Sequence, residues 1–136
     1  MTNDENKMTV VICSPGKEAR IAEIGTSLED MQKTVGGYIE AVYPYADEVA
    51  LVCNEEGKCN GMKPCRALYD EDGKMYDIVF GTFFVAGLGE EDFCSLTPEL
   101  AEKYSKQFQH AELFFRTAEN TIVAEPIIEK PKARTI

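Results

Sequence analysis

Four polar residues interrupt otherwise apolar stretches of this sequence and are the best candidates for contact with a ligand: Tyr38, Asn54, Arg66 and Thr82. Arg66 stands alone between short apolar segments, and an isolated guanidinium can hold an anion or a carboxylate through two parallel hydrogen bonds. The alternative is a structural arginine that donates to loop carbonyls or pairs with one of the many acids. Both interpretations stay open, so we carry the four residues forward as a hypothetical ligand-binding site.

Residue patterns for catalysis or metal binding are weak. The single histidine, His110, follows a predicted helix without a nucleophile signature beside it, so we expect it to face solvent. Cys53, Cys59 and Cys65 succeed one another at intervals of six positions, whereas zinc ligands usually come in pairs with about two to four intervening residues. A zinc site completed by Cys94 or His110 is the minor alternative. We therefore predict no catalytic residue, no metal and no cofactor.

Carboxylates are plentiful, and their arrangement decides between several functions. The chain of 136 residues carries a net charge of −10, which disfavours direct binding to nucleic-acid phosphates. One interpretation of this charge is solubility, and the sharper one is mimicry of a nucleic acid by a row of carboxylates. A carboxylate-based enzyme is the weakest alternative, because no two acids stand out as a catalytic pair. Many of the acids fall in four short clusters beside predicted turns: Asp47-Glu48, Glu55-Glu56, Asp70-Glu71-Asp72 and Glu90-Glu91-Asp92.

The chain start and the cysteines indicate the compartment. Residues 1–7 are polar and include acids, unlike a signal peptide, and no apolar run approaches the roughly 18 residues of a membrane helix. None of the five cysteines belongs to a CxxC pair. We expect a cytoplasmic protein with reduced thiols and no membrane contact. The sequence carries no signal for an oligomeric state.

Local patterns predict the elements that must position these residues in the first half of the chain. Thr26 or Ser27 can cap a helix, and Gly36-Gly37 can end it in the left-handed conformation. Two β-branched runs around a Pro-Gly turn are typical of a hairpin. The predicted elements are, in order, a hairpin over 8–13 and 19–24, a helix over 27–35, and strands over 38–43 and 48–53.

The second half contains the most hydrophobic stretch, residues 75–86. Gly81 lies in its middle, and a glycine inside a strand pattern indicates a bulge or a bend, so we expect a long, central, bent strand. Thr97-Pro98 is a strong helix start, and an apolar residue recurs at every fourth position from Leu96 to Phe108. The remaining predicted elements are a short strand or helical turn over 66–69, a strand over 111–116, and a final strand or an extended arm over 121–124.

These elements predict a single α+β domain with a mixed, mainly antiparallel sheet and two short helices. The domain is expected over residues 8–125. We expect a flexible N-terminus over residues 1–7 and a flexible tail over residues 126–136, where two prolines and a local charge of +2 disfavour regular structure.

Four segments in order carry a resemblance to a known family: Val35–Glu40, Val52–Lys58, Arg66–Leu68 and Gly81–Phe84. The combination resembles a bacterial family catalogued as a domain of unknown function, whose members are common in Gram-positive bacteria, their phages and their conjugative elements. The resemblance spans about residues 8–105. Cys65 occupies a place where many relatives carry an asparagine.

The resemblance implies a context and not a chemistry. It suggests a non-catalytic binding protein of phage or mobile-element origin, acting on a host protein or a small signalling ligand. The alternative is an acidic decoy that occupies a DNA-binding surface, as antirestriction proteins do. A cavity containing Arg66 and Asn54 would favour ligand binding, and a continuous ridge of carboxylates would favour mimicry.

Overall fold

The computed structural model describes residues 6–128 and has an α+β fold, as expected. Its elements are, in chain order, β1 (Lys7–Cys13), β2 (Arg20–Gly25), α1 (Leu28–Val35), β3 (Ile39–Val42), β4 (Val49–Asn54), β5 (Pro64–Tyr69), β6 (Met75–Phe80), β7 (Phe83–Leu88), β8 (Phe93–Cys94), α2 (Pro98–Gln107), β9 (Glu112–Arg116) and β10 (Ile122–Pro126).

The main sheet has the strand order β2-β1-β7-β4-β3, with β8 pairing to β7, and all its pairs are antiparallel. The three inner strands are buried on both faces, so their alternate side chains enter two different cores. On the face that α1 covers, the core contains Met8, Val10, Ile12, Ala50, Val52, Phe84 and Ala86. On the face that α2 covers, it contains Val11, Cys13, Val49, Leu51, Phe83 and Val85.

Helix α1 begins and ends where the local signals predict. Ser27 is the N-cap, and its hydroxyl accepts a 3.0 Å hydrogen bond from the backbone N–H of Asp30. Gly36 ends the helix in the left-handed conformation, with φ of 82°, and its N–H donates to the carbonyl of Gln32. Only Met31 and Val35 of this short helix are buried. The helix therefore covers only part of its sheet face.

Helix α2 covers the other face. Thr97 caps it by accepting from the N–H of Leu100, and Pro98 is its first residue, as expected. The predicted apolar stripe is buried at Tyr104 and, beyond the helix ends, at Leu96 and Phe108. The stripe packs on the sheet together with the side chains of the β5–β6 hairpin.

The prediction of one long bent strand over residues 75–86 is wrong. The stretch forms two strands, β6 and β7, which belong to different sheets. Gly81 separates them with φ of 82°, and its N–H donates to the carbonyl of Lys63 outside either ladder. A left-handed residue ends the pairing of β6, and the chain then enters the main sheet, where β7 takes the expected central position. Residues 66–69 lie in β5, which confirms the strand alternative for that segment.

The last two strands, β9 and β10, pair with each other in a separate hairpin, which confirms the strand alternative for residues 121–124. Of the ends expected to be flexible, residues 1–5 and 129–136 lie outside the described part of the chain, whereas Lys7 belongs to β1 and Pro126 to β10. In residues 6–128, neither helix has the length and apolar composition needed to cross a membrane.

Candidate functional site

Arg66, the central residue of the hypothetical ligand site, is fully buried. Its Nε and Nη2 donate to the carbonyl of Phe108 at 3.1 and 3.0 Å, Nη2 donates to the carbonyl of Lys17 at 2.7 Å, and Nη1 donates to the carbonyl of Cys65 at 3.0 Å. These bonds join β5 to the end of α2 and to the β1–β2 loop. They match the structural alternative, a buried arginine that donates to loop carbonyls.

Asn54 is also buried and bonded to backbone. Its Nδ2 donates to the carbonyl of Val35 at 3.2 Å, and its Oδ1 accepts from the N–H of Glu56 at 2.8 Å. The side chain lies so close to Gly37 that a Cβ there would be 2.7 Å from Asn54 Nδ2. Asn54 therefore joins the end of α1 to the turn after β4.

The remaining two residues of the hypothetical site, Thr82 and Tyr38, do not contact Arg66. The hydroxyl of Thr82 donates to Ser14 Oγ at 3.1 Å. Tyr38 is exposed over 69% of its surface, and its carbonyl accepts from the N–H of Glu55. The structure does not bring the four residues together, and a ligand-binding role for each of them stays a prediction.

Three of the four segments that carry the family resemblance meet at one end of the main sheet, which we call the glycine end: loops 36–38, 54–63 and 81–82. Contacts there are close. A Cβ at Gly57 would lie 2.6 Å from the carbonyl of Phe80, and one at Gly81 would lie 2.6 Å from Met62 Sδ. The glycines let three loops pack against one another, which gives this end a role in folding.

Three of the four acidic clusters lie at the opposite end of the sheet, which we call the acidic end: turns 43–48, 70–74 and 89–92. The N–H of Leu88 donates to the carbonyl of Glu48, which places the clusters 47–48 and 90–92 on adjacent turns. Asp70 and Glu71 line a cavity together with residues 44–46, so the third cluster faces the same end. Glu55-Glu56 belongs to the glycine end.

A groove of about 530 Å³ opens at the acidic end between α1, β3 and the β7–β8 turn. We call it the acidic groove. Glu90, Glu91 and Asp92 form one of its walls, and its apolar lining includes Leu28 and Tyr43, which are 56% and 60% exposed. The other apolar residues of the lining are Met31, Ile39, Leu88 and Phe93. The groove exists because α1 is too short to cover this face.

A second cavity, of about 330 Å³, lies on the opposite face of the sheet between β3–β4 and the β5–β6 hairpin. We call it the hairpin cleft. Glu40 and Val42 of β3 line it, and a 2.7 Å ion pair joins Lys58 to Asp77 across it. Cys53 is half-buried there, and burial, together with the charges of nearby acids, raises the pKa of its thiol to about 11. The thiol is therefore protonated at neutral pH and is a poor nucleophile.

The described residues contain no group of three or more His, Cys, Asp or Glu side chains placed to hold a metal ion. Cys65 is fully buried beside Arg66, and burial raises the pKa of its thiol to about 12. His110 was expected to face solvent. It is instead partly buried, and within residues 6–128 its Nδ1 is enclosed without a hydrogen-bond partner.

Both cavities are absent from the sequence predictions. The acidic groove joins residues that lie far apart in the chain, from Leu28 to Phe93. The available signals were the shortness of the predicted first helix and the acids that follow Gly89 at the end of a strand. Neither signal indicates that the helix and the acids would lie side by side. Their proximity follows from the placement of β7 between β1 and β4, which are distant from it in the sequence.

Residues 8–109 match a family described as a domain of unknown function (DUF3846). The match ends just after α2, so the β9–β10 hairpin lies beyond it. No curated protein and no solved structure shows significant similarity to the chain.

Proposed function

The chain belongs to this family of unknown function, and from its own geometry we propose that it is a non-catalytic binding protein that docks its acidic end on a basic region of a partner protein. The acidic groove carries the proposal. It combines exposed apolar side chains with three carboxylates in one wall. Apolar contact supplies affinity, and charge selects the partner.

A protein partner fits the groove better than a small signalling ligand does. The hypothesis of a small ligand rested on Arg66 and Asn54, and both side chains are committed to backbone groups. A small-molecule site usually encloses most of its ligand. The acidic groove instead lies beside the outer strand β3 and continues onto the exposed side chains of Tyr43 and Leu28.

The charge of the groove restricts the partner to a basic one. Glu90, Glu91 and Asp92 follow one another on a single turn, and the clusters at 47–48 and 70–72 face the same end. A surface with this density of carboxylates repels acidic proteins and nucleic acids and attracts lysine-rich and arginine-rich surfaces. An origin in a phage or a mobile element, with a host protein as the partner, is part of the proposal.

Mimicry of DNA is the second candidate, because folding gathers three of the four acidic clusters at one end. Under this proposal the basic partner is a DNA-binding protein, and the acidic end takes the place of the phosphates. The apolar lining of the groove favours the more general docking function, because phosphate mimicry requires no apolar contact.

The test compares two variants with the same change in charge. Glu90→Lys/Glu91→Lys alters the groove, whereas Glu18→Lys/Glu23→Lys alters the β1–β2 hairpin, outside both the groove and the hairpin cleft. Both pairs of side chains are exposed. Immobilised protein is incubated with host-cell extract, and retained proteins are quantified by mass spectrometry. We expect a basic protein that is retained by the wild type and by the control variant but lost with Glu90→Lys/Glu91→Lys.

Equal retention by the two variants would contradict the proposed function. Adding duplex DNA to the wild-type complex separates the two candidates. Release of a partner that itself binds the duplex supports mimicry, and retention in the presence of DNA supports docking on a basic region that does not bind DNA.

A further inference from the structure

We propose that the partner contributes an extended segment that adds to the free edge of β3 as an antiparallel strand, with basic side chains directed into the acidic groove. This inference rests on the proposed function and specifies how its partner binds. Three features of β3 carry it: a row of free backbone groups, a cavity on each face of the strand, and the charge of one of those cavities.

The free edge follows from the pairing of β3 with β4. The carbonyl of Tyr38 accepts a 2.8 Å hydrogen bond from the N–H of Glu55, just before the ladder that pairs Ile39 with Asn54. Antiparallel residues alternate between bonded and non-bonded pairs. Glu40 and Val42 therefore direct their backbone groups towards β4, and Ile39 and Ala41 direct theirs away from it. Within residues 6–128, no strand pairs with this outer edge.

The side chains of β3 alternate between two cavities. Ile39 faces the acidic groove, as does Tyr43 just after the strand. Glu40 and Val42 face the hairpin cleft on the opposite side. A strand that pairs with β3 continues this alternation, so its successive side chains enter the groove and the cleft in turn. Main-chain bonds at a sheet edge and pockets for alternate side chains are the two parts of recognition by strand addition.

The two cavities determine which side chains the added strand carries. The groove presents Glu90, Glu91 and Asp92, so it favours lysine or arginine, whose aliphatic carbons can cover the apolar lining. The cleft also contains Glu40 and Glu55, and its third acid, Asp77, is paired with Lys58. Most of the cleft lining is apolar and consists of Val42, Cys53, Leu68, Ile78, Val79 and Phe80. The cleft side therefore favours small apolar residues that contact Val42. The preferred segment alternates basic and small apolar residues.

The opposite edge of the sheet, β2, offers a control. The N–H of Thr26 donates to the carbonyl of Asn6 just outside the β1–β2 ladder, so by the same alternation Ile21 directs its backbone groups outwards. Ile21 is exposed, as are Arg20 and Glu23 of the same strand, and it lines neither the groove nor the cleft. A strand-addition site that depends on flanking cavities does not form there.

Synthetic peptides test the inference without altering the protein. The probe is a fluorescent octapeptide of alternating lysine and valine. A peptide residue that bonds to Ile39 or Ala41 lies opposite it, and its side chain points to the same face of the sheet, the groove side. The peptide residues whose amides face β3 are therefore the lysines. We expect methylation of the lysine amides to weaken binding at least about tenfold, because each lost main-chain bond contributes roughly 0.5–1.5 kcal/mol. Methylation of the valine amides should leave the affinity within about twofold.

Variants of the protein give the matching result. Ala41→Pro removes an outward N–H and leaves the bonds to β4, and Ala41→Ser keeps that N–H. Binding of the unmethylated peptide, measured by fluorescence anisotropy, should fall at least about tenfold with Ala41→Pro. It should change little with Ala41→Ser or with Ile21→Pro. In the wild type, amide exchange at Ile39 and Ala41 should slow when the peptide binds.

The outcomes separate the two proposals. If the two methylated peptides bind equally, if their order is reversed, or if the unmethylated peptide does not bind, strand addition to β3 is overturned. Loss of binding with Glu90→Lys/Glu91→Lys but not with Ala41→Pro overturns strand addition and leaves the proposed function standing. Insensitivity to both changes overturns both. Because the methylated peptides act on unmodified protein, the result holds even if Ala41→Pro fails to fold.

Discussion

Tyr104 Oη donates a 2.7 Å hydrogen bond to Asp47 Oδ2, which links α2 to the turn between β3 and β4. The same carboxylate oxygen accepts a 2.5 Å bond from Lys103 Nζ. Tyr104 is fully buried, and its ring lies 5.0 Å from that of Tyr45, which belongs to the turn that the bond fixes. One carboxylate therefore holds one of the three turns of the acidic end against the second helix.

Removing this carboxylate should make the protein less sensitive to acid. The bonds from Lys103 and then Tyr104 hold the pKa of Asp47 below its usual value of 3.8. A carboxyl with a lowered pKa contributes stability above its unfolded pKa, and that contribution is lost as the pH falls through the folded value. The free energy of unfolding of Asp47→Asn, from urea titrations, should fall below that of the wild type at pH 7 and approach it as the pH falls below the unfolded carboxyl value of about 3.9. A constant difference across this range, or a similar profile for the exposed Glu71→Gln, would contradict the assignment.

Replacing Arg66 should affect folding and not recognition. Arg66→Met leaves the carbonyls of Lys17 and Phe108 without their buried donor. We expect the free energy of unfolding to fall by about 3 kcal/mol. Arg66→Lys should recover only part of the loss, because one ammonium nitrogen replaces only one of the three guanidinium nitrogens that donate to backbone carbonyls. Variant protein that remains folded should bind the lysine–valine peptide as the wild type does. Weaker peptide binding at unchanged stability would assign Arg66 to a ligand site after all.

Alanine substitutions at Gly81 and Gly73 can test why the turn between β6 and β7 needs glycine. Gly81 lies in that turn, and Gly73, in the β5–β6 turn, serves as the control. Both residues have the left-handed conformation, with φ of 82° at Gly81 and 78° at Gly73. A Cβ at Gly81 would lie 2.6 Å from Met62 Sδ, whereas a Cβ at Gly73 would have no atom within 4 Å. Gly73→Ala should therefore cost about 1 kcal/mol of backbone strain, and Gly81→Ala should cost more. Introducing Met62→Ala into both alanine backgrounds should narrow the difference in unfolding free energy. If the two glycine variants are equally stable, contact with Met62 does not constrain the turn.

Cys53 should resist alkylation despite being partly accessible. With its pKa raised to about 11, the thiolate fraction at pH 8 is roughly a hundredfold lower than for an ordinary thiol. Iodoacetamide labelling followed by mass spectrometry should modify the exposed Cys94 first. The rate at Cys53 should rise tenfold per pH unit up to about pH 10. Equal rates for Cys53 and Cys94 at pH 8 would rule out the burial of this thiol in the hairpin cleft.

The elements were predictable where the determining contacts are local. Ser27 begins α1 and Gly36 ends it, each through a hydrogen bond to a residue three or four positions away. Thr97 begins α2 in the same way. The division at Gly81 was not predictable, because the hydrophobicity of residues 75–86 does not determine which strand each half pairs with. Arg66 illustrates the same limit at the site level. Two of its three carbonyl partners lie 42 and 49 positions away, so its isolation in the sequence was compatible with both interpretations.

The uneven placement of the acidic clusters also affects how fast a complex can form. Three clusters lie at the acidic end, whereas the single acidic pair of the glycine end, Glu55-Glu56, is offset there by Lys33 and Lys63, which border a shallow depression. The molecule is therefore an electric dipole as well as an anion, and a basic partner exerts a torque on it before the two surfaces touch. Such pre-orientation raises the association rate and leaves the dissociation rate nearly unchanged. Added salt should slow encounter well before it loosens the bound state.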